Sequence, residues 1–382
     1  MKCCAGGVLE RSLQQLGFPL PGSVYEREIF GTALVHGERR FEFRSSSRLA
    51  VTVHREAFDT FLLKKAESAG AEVLASHETV EVKEHADRVT VGDGTAHREA
   101  RYLIIAEGAN SRSARQVLGP YPPGGLAVGL ASRCLFGSEP SDLLEFHLAG
   151  DDRLRMPFIV RGGLDGWMFP HRKGGNIGVG GWGTSTATLR NEIGRLMDSI
   201  GRANGGIESS GAICAHPIPV KPRTRFSSAR CMAVGDAAGL ASPMTGEGIS
   251  YALTSGRLAA ETVMEQHDLA FSPRRLRAYD AAVRSEAVSV LRAARWTSRW
   301  VQSISPVMDI DRLLEAASRE DRIIDASVRF TRGERDWTPL GRLAILRFLP
   351  LFFSSLPSSG QDLKEPDRCI QKADHGYNED RP

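Results

Sequence analysis

Nothing in this chain is concentrated in one place, and each shortage excludes something. The six cysteines, at positions 3, 4, 134, 214, 231 and 369, contain no C-x-x-C and follow no regular spacing. That pattern argues against a disulfide framework, a zinc ribbon or a cluster-binding set, and fits a reducing cytosol. Neither His171 nor His216 has ligand-like spacing to another histidine or carboxylate, so no metal is expected. No Ser–His–Asp arrangement can be read from the order of residues. Charge of one sign is equally scarce: 49 Lys and Arg face 46 Asp and Glu, a net +3. The arginines are scattered and no basic run is interleaved with aromatics, so nucleic acid is not an expected partner. Long apolar runs are missing as well. The nearest, LAILRFLPLFFSSLP at 343–357, is too short to span a bilayer and is interrupted by Arg347 and Pro350. It reads either as a buried C-terminal helix or as a stretch lying on a membrane surface. Residues 1–20 lack an apolar segment of signal-peptide length, so a cytoplasmic monomer is expected, with membrane association left open.

What remains is the composition of an ordinary globular protein, 41% hydrophobic and 25% charged, whose 382 residues suggest two intertwined domains. VLERSLQQL at 8–16 has the pattern of a short helix, stopped by Gly17, Pro19 and Pro21. From Val24 to Val53, β-branched and aromatic residues alternate with polar ones, predicting antiparallel strands. REAFDTFLLKKAESAG then puts Phe58, Leu62 and Ala66 on one helical face, with Gly70 at the C′ position. AEVLA, HETVEVKEH, DRVTVGDG and ARYLIIAEG read as strands, with a hairpin turn at Asp93-Gly94. Short strands are predicted through 124–181, a helix in TATLRNEIGRLMDSIGRAN, and extended chain in GAICAHPIPV and ARCMAVGD. Met244 to about Ala294 is mostly helical, with a break at Ser272-Pro273, and a polar tail follows Pro357. A strand-to-helix signature with an antiparallel block before it implies a discontinuous α/β domain carrying a sheet-rich one.

That signature is VGDAAGLASPMTGEGISYAL, 234–253. A strand ending in Gly235-Asp236 places a carboxylate at the carboxyl edge of a sheet, where open α/β folds bind ligands. Ala237, Ala238 and Gly239 let backbone approach a flat or phosphorylated group. T-G-E-G-I at 245–249 opens a helix whose N–H groups suit a phosphate or an electron-rich ring edge. For Gly-Asp alone a tight turn with a capping aspartate is the favoured reading; for the whole run it is not.

The run resembles the distal FAD fingerprint of flavoproteins of the p-hydroxybenzoate hydroxylase fold, and most closely the geranylgeranyl reductase family. K-C-C-A-G-G at 2–7 is similar to that family's K-x-C-G-G loop, with Cys4 on the motif cysteine. R-E-A-F-D at 55–59 resembles its R-x-x-F-D, and A-E-G-A-N-S-R at 106–112 its A-D-G-A-N-S-R, with Glu107 for aspartate. W-M-F-P, seven residues and G-V-G at 178–180 resemble its Y-x-W-x-F-P…G-x-G motif, with Asp165 in the place of tyrosine. The likeness covers about residues 2–300.

The resemblance implies an α/β fold, α+β overall: an FAD domain (1–20, 50–122, 216–270) with an inserted antiparallel-sheet substrate domain (21–49, 123–215). A C-terminal helical region (271–357) and a tail (358–382) complete it. It also implies an FAD-dependent reductase of carbon–carbon double bonds in isoprenoid chains, drawing electrons from NAD(P)H or ferredoxin. Arg55, Gly235, Asp236, Ala237, Gly246, Glu247, Gly248 and Ile249 would hold FAD, with Asp236 on the ribityl chain. Trp167, Phe169, Gly178 and Gly180 would face the prenyl substrate. Cys4 would act near the flavin as proton donor or gate. Residue by residue, plainer roles stand beside these: Cys4 as an inert buried thiol, Trp167 and Phe169 as strand core, Arg55 as a surface helix-start residue. An aromatic hydroxylase or quinone-linked oxidoreductase of the same fold, and a non-catalytic remnant, are the alternatives.

Such flavoproteins open with a βαβ unit carrying G-x-G-x-x-G. The one literal match, G-V-G-G-W-G at 178–183, is not followed by a second strand ending in an acid about 20 residues on, and is rejected as a dinucleotide site. The first unit is therefore expected to be missing. A misassigned start is the favoured explanation, ahead of a truncated gene or a unit supplied by another chain.

Overall fold

The computed structural model describes residues 3–148, 164–265, 276–304 and 315. Strand β1 (Gly7–Leu9) runs directly into helix α1 (Glu10–Gln15). The sequence pattern had the helix start at residue 8. Val8 is instead fully buried and pairs with Val51, so packing overrides local pattern for these first residues. The predicted antiparallel run appears as β2 (Tyr25–Ile29), β3 (Gly31–His36), β4 (Arg39–Arg44) and β5 (Ala50–Val53). β5, buried along its length, lies between β1 and β2 in a three-stranded sheet. Helix α2 (Arg55–Ser68) leaves β5 after one residue and stops before Gly70, whose φ of 98° is the left-handed turn expected there.

β6 (Glu81–Glu84), β7 (Val89–Gly92) and β8 (His97–Ala100) form a separate meander. Its second turn is the predicted Asp93-Gly94 one, where Asp93 accepts from the Thr95 and Ala96 amides at 2.9 and 2.8 Å. AEVLA at 71–75, predicted as a strand, is irregular. No described strand pairs with it, and Leu74 stays 42% exposed. β9 (Leu103–Ile105) and α3 (Arg112–Leu118) follow.

The large sheet is built from β10 (Leu126–Phe136), β11 (Leu143–Leu148), β12 (Leu164–His171), β13 (Gly174–Gly181), β14 (Ile207–Ser210) and β15 (Cys214–Pro219), joined by β3 and β4. Its order is β14-β10-β13-β12-β11-β3-β4, with β15 also on β10. Of the 21–49 stretch, then, β3 and β4 join the large sheet while β2 stays with β5. Helix α4 (Thr186–Ala203) covers one face: Leu189 and Ile193, one turn apart, are fully buried against Leu130 and Val179. The opposite face meets β1 and β5.

β16 (Cys231–Ala233) pairs in parallel with β9. A 3-10 turn (Gly235–Ala238) leads toward α5 (Ile249–Glu265), then come α6 (Leu276–Val283), a π-turn (Arg284–Val288) and α7 (Ser289–Ile304). α5 and α6 bury Leu258, Leu276 and Tyr279 against Met232 and Ala233, forming the largest core. The break at Ser272-Pro273, the apolar stretch 343–357, the tail and Cys369 lie outside the described residues. Among the described residues no helix is long and apolar enough to cross a membrane.

Candidate functional site

The loop after β16 has the geometry its small residues suggest. Gly235 and Gly239 take φ of 52° and 79°, and a Cβ on Gly239 would stand 2.6 Å from the Lys221 carbonyl oxygen. Ala237 and Ala238 are buried, while Asp236 between them and Gly235 is only half-buried. α5 begins at Ile249, so the turn of Gly246 (φ 69°), Glu247 and Gly248 precedes it. A Cβ on Gly248 would lie 3.2 Å from Asp236 Oδ1; glycine there leaves open the space beside the carboxylate. Glu247 Oε1 accepts from the Ser250 amide at 2.6 Å and its hydroxyl at 2.7 Å. The start of α5 thus already has an anion on it, which disfavours a second full charge such as a phosphate more than a neutral ring carbonyl.

The cysteine loop lies against β5. Val53 N–H donates to the Gly6 carbonyl at 2.8 Å, and a Cβ on Gly6 (φ 81°) would collide with the Val53 oxygen at 2.2 Å. The Gly6 amide donates to Cys4 Sγ at 3.4 Å. Arg55, whose side chain is 13% exposed, gives two 2.9 Å bonds to Asp59. Burial opposes its charge, but Asp59 and the Cys4 thiol outweigh burial and hold it protonated above the usual arginine value. Cys3 Sγ donates to the Cys214 carbonyl at 3.2 Å. Burial first, then the Cys214 thiol, push Cys3 up to about 12, so it remains a thiol at neutral pH.

A hydrogen-bonded link ties this loop to the large sheet. Trp167 Nε1 donates to Asn176 Oδ1 at 3.0 Å, and Asn176 Nδ2 donates to the Cys4 carbonyl at 3.1 Å. Phe169 packs on Gly7, where a Cβ would stand 2.8 Å from its ring. Gly178 makes room for the Trp167 indole, 2.1 Å from the position a Cβ would take. Gly180 is buried in β13 opposite Gly129 and Asp165. Ile249 packs on the cluster of Val8, Val51, Val53 and Phe58, which brings the start of α5 to the same junction. The structure therefore gathers Cys4, Arg55, Trp167, Phe169, Gly178 and Ile249 where two sheets meet, with Asp236 beside Gly248, the residue before Ile249. A cavity of about 310 Å³ opens nearby between α1 and β5, walled by Leu13, Phe18, Leu20 and Val51, with Arg48 and Glu10 also on it. Trp167 and Phe169 do not line it.

Sequence reasoning passed over Asn176 and His54 at this junction, and took up His171 only as a metal ligand and Glu107 only as a motif residue. Asn176, 5% exposed, is the one polar side chain in the glycine-rich β13, and that is its only signal. His54 and His171 meet edge to face with ring centroids 4.5 Å apart. Burial, then the charges of His54 and Arg133, push His171 down to about 3. Glu107 accepts from Ser111 Oγ at 2.7 Å, the Ser113 amide at 3.0 Å and the Ser113 hydroxyl, capping α3. Burial works against its charge, but these bonds prevail and hold it below the ordinary glutamate value. Among the described residues no group of three His, Cys, Asp or Glu side chains could hold a metal ion.

No protein-family model matches the chain. It is 34% identical over 235 residues to the chloroplastic geranylgeranyl diphosphate reductase of Arabidopsis thaliana, covering 56% of this chain and 47% of the relative. It is 34% identical over 231 residues to the menaquinone reductase of Mycobacterium tuberculosis, covering 57% and 55%. The chain thus spans about half the length of these curated relatives. Among solved structures, the geranylgeranyl bacteriochlorophyll reductase-like protein of Thermoplasma acidophilum superposes with a TM-score of 0.72 at 19% identity, over 90% of this chain and 89% of that one. The fold is that of p-hydroxybenzoate hydroxylase-type flavoproteins. HpxO of Klebsiella pneumoniae, solved with FAD and uric acid, gives 0.55 at 16% identity over 93% and 89%. In sequence the similarity is to the geranylgeranyl reductase family.

Proposed function

We propose that the chain is an FAD-dependent oxidoreductase that reduces carbon–carbon double bonds in isoprenoid chains of geranylgeranyl type, carried on lipids, quinones or chlorophyll-type precursors. Similarity to the geranylgeranyl diphosphate and menaquinone reductases supports the substrate class. The observation that carries it is the bonded link from Trp167 through Asn176 to the Cys4 carbonyl, which joins the W-x-F-P motif to the cysteine loop.

The residues at 235–249 fit a flavin, because the space that a Cβ at Gly248 would fill lies open beside the Asp236 carboxylate. Asp236 would accept from the ribityl hydroxyls, with Gly235 and Ala237 fixing its turn. The backbone of Gly246, Glu247, Gly248 and Ile249 would face the ring system, and Glu247 keeps that turn in place by capping α5. When bound and reduced, FAD supplies hydride, with electrons drawn from NAD(P)H or a ferredoxin. Arg55 holds the Cys4 side of the loop, and Trp167 and Phe169 form an apolar wall that keeps water from the reacting bond.

Titrating FAD into the purified chain and following its visible absorbance tests this. Saturable binding is expected, weakened roughly 10-fold or more by Asp236→Ala through loss of a charged hydrogen bond. Equal binding by wild type and Asp236→Ala, or none by the folded wild type, would contradict it.

A further inference from the structure

Between the ends of β5 and β12 lies a polar cluster that the proposed reaction has not yet used. His54 Nε2 is 3.5 Å from Glu26 Oε1 on β2. His54 Nδ1 and, across the ring contact, His171 Nε2 are buried with no hydrogen-bond partner among the described residues. His171 is itself 7% exposed. Buried polar atoms are nearly always paired, so two orphaned nitrogens on touching rings call for a ligand or a reacting group. Their location is informative. His54 is the residue before Arg55, which touches the Cys4 thiol. His171 shares a face of β12 with Trp167 and Phe169 through the two-residue repeat of a strand.

We propose, resting on the reductase function above, that His54 donates the proton that completes double-bond reduction, with Glu26 holding its ring from the far side. As the π bond opens, hydride adds with its electron pair to one carbon. The neighbouring carbon uses the π pair to form a C–H bond with the proton of His54 Nδ1. The N–H pair stays on nitrogen, leaving a neutral ring whose remaining proton, on Nε2, faces Glu26. Nδ1 itself is buried, so the lost proton returns once product leaves and solvent, which already reaches 33% of the His54 side chain, enters beside it.

Charged groups face the His54 ring from three elements. Glu26 comes from β2, Glu56 from the first turn of α2 and Arg133 from β10, where Arg133 and Glu56 pair at 2.6 Å. His171 remains neutral at working pH, so it does not compete for the proton. It is a positioning residue that fixes the plane of His54 by its edge contact.

The test uses the full chain with isotope-labelled histidine, as wild type, His54→Gln and Glu26→Gln, assayed with geranylgeranyl diphosphate, FAD and dithionite. His54→Gln is expected to lower kcat about 100-fold with KM unchanged, the usual contribution of a general acid. Wild-type kcat falls as pH rises, and that limb is absent from His54→Gln. Independently of turnover, nitrogen NMR of the wild type is expected to show neutral His54 protonated on Nε2, and Glu26→Gln to give mixed tautomers and a lower kcat. Wild-type kcat in His54→Gln, or an unchanged tautomer in Glu26→Gln, overturns the assignment while leaving the reductase function intact. A wild type that reduces nothing overturns both.

Discussion

His171 shows how one buried side chain can set the pH response of the whole fold. Its ring is neutral in the folded protein down to about pH 3, whereas an unfolded histidine takes a proton near pH 6.5. Between those values the unfolded chain binds one more proton, so stability falls as pH drops below about 6.5 and levels off below the folded value. At pH 5.5 the expected loss is about 1.4 kcal/mol from this residue. Urea unfolding at pH 7.5 and 5.5 should show it in the wild type and not in His171→Phe; equal slopes in both would contradict the burial argument. Two other residues have their charges satisfied inside the protein, which changes what each can do. Arg55 is occupied by Asp59 and Cys4, and Glu247 by Ser250. As they stand, Arg55 holds the cysteine loop and Glu247 shapes the turn before α5.

At the scale of elements, glycine marks where backbone or ring must come close. Gly178→Ala would drive a Cβ to 2.1 Å from the Trp167 ring and 2.6 Å from the Leu130 oxygen, on the two strands flanking β13. Thermal unfolding should show a loss of about 3 kcal/mol. Gly194→Ala, in α4 with nothing within 4 Å, should instead gain up to about 1 kcal/mol. Equal effects would mean the strand gives way to the added methyl. Elements with a regular pattern were legible in advance: α4 from its apolar stripe, β6 and β7 from alternation and the Asp93 turn, and α2 from its Gly70 stop. Of the α2 face expected to pack, only Phe58 is buried, and Ala66 is exposed. β8, exposed along its length, carries no such pattern. The failures have a common cause. Residues 7–9 became a strand because β5 offered Val8 a buried partner, and 71–75 did not because no described strand stood beside it. The loop geometry at 235–249 was legible because its residues form one contiguous motif. Asn176, His54 and Glu26 were not, because their meaning arises only when strands distant in sequence meet.

For the molecule as a whole, the decisive contact is the one joining the large sheet to the three-stranded one. Asn176 bridges them through Trp167 and the Cys4 carbonyl, and Thr52 Oγ1 adds a 2.6 Å bond to the Pro170 carbonyl. Asn176→Ala leaves the half-buried indole N–H and the Cys4 carbonyl without these partners, a loss of about 1 kcal/mol or more. It should also weaken FAD binding, because the cysteine loop is no longer held to β13. Denaturant unfolding and the FAD titration check the two effects separately; a variant that loses stability but binds FAD as the wild type does would make the bridge purely structural. Both effects follow from the proposal that this junction holds a flavin against a prenyl chain. The most direct measurement is the mass of geranylgeranyl diphosphate after incubation with the purified chain, FAD and dithionite. Gain of two hydrogens for each double bond reduced, absent without the protein, is the predicted result; an unchanged mass with FAD bound would contradict the proposed reduction.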